Sequence, residues 1–235
     1  MKAESTFLFL AGYIVAWFFA TLFTIGHWPD ILGKATGLWK KGKGGGLAGT
    51  LATYLYILWV ASLANAANVM FWSFLVCTVF GWLAFHYGAK LICMLADGPV
   101  IKHDGSVTEH DPNQIVIDEA AGFLGLAYII YRFLPVDHAT RLWLLFIGFI
   151  WFRLWDTKKP FFVAWVEKKF PNAFGGMADD VIIGLAIGAI FWAVHYLAPS
   201  YLLTITSSLL TFEFMRIIGI SHKKKIEKAK LSINK

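Results

Sequence analysis

Seven stretches of the chain are apolar for most of their length, over residues 7–25, 51–63, 70–95, 119–134, 142–155, 181–197 and 202–218. Short polar segments join them. A helix needs about 20 apolar residues to cross the hydrocarbon of a bilayer, so runs of this kind leave few alternatives. Inside lipid every backbone N–H and C=O must find an internal partner, which only helices or closed barrels provide. The strand alternation of a barrel, apolar and polar over about ten residues, does not occur here. The reading is an all-α, polytopic transmembrane helical bundle with about six or seven spans. Composition agrees: 58% of residues are hydrophobic and 15% charged, too few charges for a soluble domain of 235 residues. The first run reads as a retained span, because Gly26, His27 and Trp28 follow it in place of a small-residue cleavage site. The last run is the weakest, since Glu213 and Arg216 fall within it.

The formal charge is +6, with the lysines gathered in loops and in the tail. Lys34, Lys40, Lys41 and Lys43 precede Gly44, Gly45 and Gly46, while Lys223, Lys224, Lys225, Lys228 and Lys230 close the chain. Seven alternating spans put the loops 27–50, 97–118 and 156–180 and the tail on one side of the membrane. The excess of lysine makes that side cytoplasmic. Basic charge distributed in this way serves topology and anionic lipid, and no basic stripe interleaved with aromatics points to nucleic acid. Cys77 and Cys93 lack the spacing of a zinc site or redox pair. His103 and His110 read as solvated loop residues, His86 and His195 as packed ones.

Carboxylates mark the membrane boundaries on the same side. Asp118 and Glu119 open one span, Asp156 closes the next, and Asp179 and Asp180 open the one after. Successive helices run in opposite directions, so all five groups emerge on one face. Any single acid at a helix start is accounted for by capping and the helix dipole, and Arg153 with Asp156 by an i,i+3 pair. Three acidic elements converging at a bilayer boundary require a compensating cation. Magnesium fits, being a hard ion that takes carboxylate, water and phosphate oxygens, whereas zinc would favour His and Cys. With Arg153 and Lys159 alongside, the combination is that of a phosphate site, and a membrane scaffold implies phosphate carried on a lipid. Intramembrane acids also serve transporters, but these cluster at one boundary and no inverted repeat is evident.

The same residues form three motifs. Asp111-Pro112, followed by Ile115-Val116-Ile117-Asp118-Glu119-Ala120-Ala121-Gly122, resembles the D-P-x-x-[IV]-V-x-D-E-x-x-G signature of the phosphatidylglycerophosphatase A family. Phe152-Arg153-Leu154-Trp155-Asp156-Thr157-Lys158-Lys159-Pro160 resembles its F-R-x-x-D-x-x-K-P segment. Gly175-Gly176-Met177-Ala178-Asp179-Asp180 with Gly184 resembles its G-x-M-x-D-D-x-x-x-G. The motifs stand in family order between about residues 97 and 200. The early glycine segment departs from the family's P-G-T-x-G-S-L: here it reads Gly45-Gly46-Leu47-Ala48-Gly49-Thr50-Leu51.

The resemblance implies a Mg²⁺-dependent phosphatase of a bacterial inner membrane, multi-pass, with its active site facing the cytoplasm. It would convert phosphatidylglycerophosphate to phosphatidylglycerol and inorganic phosphate. By that resemblance Asp118, Glu119, Asp179 and Asp180 would ligate the metal, and Asp156, Arg153, Lys159 and Glu119 would carry the catalysis. A phosphatase acting on another lipid phosphate monoester is the alternative, with an ion transporter behind it. The partner is a phospholipid substrate in the membrane, with no nucleic acid and no obligate protein partner evident. The chain divides into an additional N-terminal transmembrane helix over 1–28, a membrane-embedded phosphatase domain over 29–220 and a basic cytoplasmic tail over 221–235.

Overall fold

The structure is a computed structural model that describes residues 45–95, 100–101, 107–108, 115–170 and 173–233. The expected first span at 7–25, the lysines before Gly44, His103, His110 and Asp111-Pro112 lie outside the described residues. What is described is helical apart from one small pairing. Helices α1 (Gly45–Val60) and α2 (Ala66–Leu95) come first. Strands β1 (Val100–Ile101) and β2 (Val107–Thr108) pair antiparallel. Then follow α3 (Ile117–Phe133), α4 (His138–Lys158), α5 (Phe161–Lys169), α6 (Ala173–Leu197), a 3₁₀ turn (Pro199–Tyr201) and α7 (Leu202–Ile233).

Among the described residues, three helices are long and apolar enough to cross a membrane, over Ala66–Leu83, Phe174–Leu197 and Pro199–Gly219. Helix α1 is apolar but shorter. At the bundle's centre runs α3, buried without a break from Ile117 to Ala127 and packed chiefly against α6 and α2. Packing between helices in lipid depends on close van der Waals fit rather than on expulsion of water, so small residues decide where backbones can cross. A Cβ on Gly122 would run into the carbonyl oxygen of Asp180, and one on Gly184 into the carbonyl oxygen of Gly122. These two glycines set the crossing of α3 and α6. Below it Phe123, Phe152, Ile183, Ile187 and Phe191 fill the core.

The connections after α1, α3 and α6 are short, so six helix ends meet at one pole of the bundle. Trp59, Trp72, Phe133, Trp143, Tyr196 and Tyr201 are all exposed around it. A ring of aromatics made mostly of tryptophan and tyrosine suits the level of lipid headgroups. Between the poles Leu55, Val76, Val79, Phe80, Phe212 and Met215 are also exposed, an apolar surface that water would not tolerate and lipid would.

Several boundaries differ from the sequence reading. Helix α1 begins at Gly45, so two glycines assigned to a loop occupy its first turn. The segment 156–180 is not a plain loop: it contains α5, and α6 starts at Ala173, which puts the Asp179–Asp180 doublet inside a helix rather than at its opening. Close contact between Gly175 and the Phe170 carbonyl lets α6 begin that early. The backbone of α7 continues helically to Ile233, beyond the apolar run.

Candidate active site

At the pole opposite the aromatic ring, α3 begins, α4 ends and α6 passes. Asp118 and Glu119 sit in the first turn of α3, and both are buried. One turn further on, the Gly122–Gly184 crossing presses α6 against α3 and brings Asp180 beside them. Asp118, Glu119 and Asp180 each offer a carboxylate oxygen, all within 4.8 Å of one another. Among the described residues, none gives a hydrogen-bond partner to two buried oxygens, Glu119 Oε2 and Asp180 Oδ1. Buried polar atoms are rarely left so, and three negative charges at this separation repel strongly. The set could hold a metal ion. Its donors are all oxygens, the chemistry of a hard divalent cation.

Cationic side chains arrive from α4. Arg153 lies one turn before the end of that helix and donates to Asp156 Oδ2 at 2.8 Å. The same nitrogen donates to Thr50 Oγ1 at 3.1 Å and stands 4.0 Å from Glu119 Oε1. Thr50 in turn donates to the carbonyl of Gly46 at 2.9 Å. A Cβ on Gly46 would occupy the place of Glu119 Oε1 and come within 3.2 Å of the Arg153 guanidinium. Bare backbone at the start of α1 therefore admits both the acid and its cation.

Lys159 reaches the site by a different device. It ends α4 with φ 30°, the single positive-φ residue other than glycine among those described. A side chain in this region is strained, and the following Pro160 further limits its backbone. The turn carries Nζ to 2.6 Å from Asp179 Oδ2. Strain of this sort persists where surrounding structure overrides it, and it gathers at functional sites.

All seven residues singled out from the sequence thus lie at one pole, but they divide into two groups. Asp118, Glu119 and Asp180 form the tight cluster. Asp179 turns to Lys159, and its Oδ1 accepts the backbone N–H of Asp180 at 3.0 Å. Asp156 turns to Arg153. Neighbouring residues on a helix point about 100° apart, which is why the Asp179–Asp180 doublet serves two partners. Sequence reasoning did not single out Thr50 or Gly46. Their signal was present in Gly45-Gly46-Leu47-Ala48-Gly49-Thr50, glycines followed by a hydroxyl at helical spacing.

Residues 18–195 match the family model for phosphatidylglycerophosphatase A. Phosphatidylglycerophosphatase A of Haemophilus influenzae (strain ATCC 51907 / DSM 11121 / KW20 / Rd) is 29% identical over 175 residues, which cover 74% of this chain and 88% of the relative. No solved structure matches.

Proposed function

The chain belongs to the phosphatidylglycerophosphatase A family, and from that premise we propose that it hydrolyses the terminal phosphate monoester of phosphatidylglycerophosphate, releasing phosphatidylglycerol and inorganic phosphate. The observation that carries this reading is the buried carboxylate cluster with two unsatisfied oxygens, flanked by one guanidinium and one ammonium from α4. Such a site suits a dianionic phosphate accompanied by a divalent cation.

Asp118, Glu119 and Asp180 would hold Mg²⁺, with Asp179 contributing through the Asp180 N–H and through Lys159. When bound, the ion would polarise the phosphoryl oxygens and offset their negative charge. Arg153, already oriented by Asp156 and Thr50, presents its remaining N–H groups to the phosphoryl oxygens. Lys159 supplies a second positive charge on the same side and offsets charge that grows as the ester bond breaks. Asp156 is partly exposed at the end of α4, where it can take the proton of an incoming water. The water oxygen joins phosphorus, the bond from phosphorus to the glycerol oxygen breaks, and that oxygen takes up the proton held by Asp156 and leaves as the alcohol of phosphatidylglycerol.

On this reading the protein is a multi-pass component of a bacterial inner membrane with six or seven spans. The site faces the cytoplasm, 29–220 is the catalytic unit, 1–28 an added helix and 221–235 a basic cytoplasmic tail. The lysine distribution supports the orientation. Position at one pole, rather than halfway along the helices, favours a phosphatase over an ion pathway.

Phosphate release from phosphatidylglycerophosphate by the purified protein, with and without Mg²⁺, tests the proposal. Other phospholipid monoesters serve as competing substrates. Turnover that requires Mg²⁺ and prefers phosphatidylglycerophosphate is the expected result. Preference for another monoester would reassign the substrate, and turnover that survives chelation would remove the metal from the reading.

A further inference from the structure

Helix α5 has an exposed face unlike that of an ordinary cytoplasmic connection. Phe161 is 88% exposed and Trp165 is 51% exposed, one turn apart on the same face. Exposed Lys158, Lys168 and Lys169 border them, with Lys169 Nζ 4.6 Å above the Trp165 ring. The opposite face is anchored. Val163 is fully buried, and Phe162 packs edge-on against Trp155 with ring centroids 5.6 Å apart. Both ends of α5 are tied to the membrane boundary, for it follows the end of α4 and precedes the span that begins at Phe174.

We propose that α5 lies in the headgroup layer of the anionic leaflet on the site's side, with Phe161 and Trp165 in the acyl boundary and its lysines among lipid phosphates. Aromatic rings flanked by lysines, on a helix parallel to the surface, are the pattern of an interfacial helix. In water these rings would be exposed at a cost, whereas at the interface they form the counterpart of the aromatic ring at the other pole. Lys159 and Pro160 join α5 to α4 without slack, so the depth of α5 sets the depth of the Lys159 ammonium. The partner is the anionic bilayer surface itself. This inference rests on the membrane reading of the helices and not on the identity of the substrate.

Spin labels at Phe161→Cys, Trp165→Cys and Lys158→Cys would be placed one at a time in full-length protein with Cys77 and Cys93 replaced by Ser. The protein would be reconstituted in phosphatidylcholine vesicles with or without phosphatidylserine. Labels at 161 and 165 should collide with oxygen in preference to a water-soluble nickel chelate, and the label at 158, off the face that carries the rings, should do the reverse. Omitting phosphatidylserine, or introducing Lys168→Gln with Lys169→Gln, should lower the ratio of immersed to aqueous label at 165 by roughly fivefold per lysine charge left without a partner. Chelate access at 161 and 165 equal to that at 158 would overturn the proposal, and depth indifferent to phosphatidylserine would overturn its anionic partner. The depth measurement decides these points whether or not the protein proves to be a phosphatase.

Discussion

Charged side chains occur in two kinds of surroundings in this bundle. In α7, Arg216 grips Glu213 with two nitrogens, at 2.8 Å and 2.5 Å, within a single helix turn. At the start of α4, Asp137 closes just as locally on Thr140. At the site pole, by contrast, acids come from α3, α4 and α6, cations come from α4, and two buried oxygens remain unsatisfied. Local pairing occurs at the site as well, where Arg153 holds Asp156 three residues on, but there the same guanidinium also reaches Thr50 and Glu119 on other helices. The acids of the site are drawn together by tertiary packing and left with unused valence, which is what binding an ion and a phosphate requires.

The strongest break of this contrast would come from the cluster itself. Asp118→Asn and Asp180→Asn should each lower turnover by about 10³-fold or more, beyond the loss on removing one electrostatic contact in an active site. Membrane insertion should be intact, and removing divalent ions from the unmutated protein should match the effect until Mg²⁺ is restored. Retention of most activity in either variant would place the acids with the structural charges of α7. Next in size come the glycines that press the elements together. Gly122→Ala and Gly184→Ala each add a carbon where backbone oxygen now sits, and the helices must separate. Displacement on the order of 1 Å can cost about 10²-fold in rate, so phosphate release should fall by roughly that factor while the chemistry of every acid is untouched.

Much of this pole could be read from the chain alone. Five acids at helix boundaries on one side, an arginine one turn from Asp156, and the order of three motifs single out the same residues that the structure gathers at this pole. The sequence reading did not separate Asp179 from Asp180, because the division depends on where Lys159 ends up, and a lysine gives no local signal of the positive φ it adopts. Helix α5 escaped notice because its nine residues are too short for a hydrophobic period to stand out, and its exposed aromatics resemble core residues until their surroundings are known. Thr50 lies 103 residues from Arg153, a contact that local spacing does not report. The early start of α6 was hidden by Gly175 and Gly176, which signal a turn in isolation but allow a close approach to Phe170 and Phe85 in the bundle.

Paired substitutions sharpen the contrast at smaller scale. Neutralising either Glu213 or Arg216 strands its partner, whereas Glu213→Gln with Arg216→Gln removes both charges. The double variant should be more stable than the two single losses predict, with a coupling of about 1 kcal/mol in thermal or denaturant unfolding, and turnover should stay within about twofold of the parent. Lys159→Met and Asp179→Asn should show the same kind of coupling in stability. Their double variant, however, should still turn over at least about tenfold more slowly than the parent, because the electrostatic assistance from Lys159 is gone. If the Lys159–Asp179 double variant recovered activity, that pair would be structural and the two environments would not differ in kind.

Asp137 provides the smallest effect and a check on sign. It caps α4 from an extended backbone, with Oδ1 accepting the Thr140 N–H at 3.0 Å and Oδ2 accepting the Thr140 hydroxyl at 2.5 Å. The hydroxyl bond first and the backbone bond second favour the ionised carboxylate and hold it below the usual range of an aspartate. A depressed value in the folded protein means a stabilising contribution that is fully present above the range in which aspartate titrates in the unfolded chain. That contribution fades as pH falls through the folded value. Thermal midpoints of the parent and Asp137→Asn in detergent should therefore differ most at neutral pH and converge on the acid side. Phosphate release at neutral pH should agree within about twofold, as expected for a surface substitution distant from the chemistry. A midpoint difference that widened in acid would reverse the assigned sign, and a loss of turnover comparable to that of Asp180→Asn would show that local closure does not mark a charge as structural in this fold.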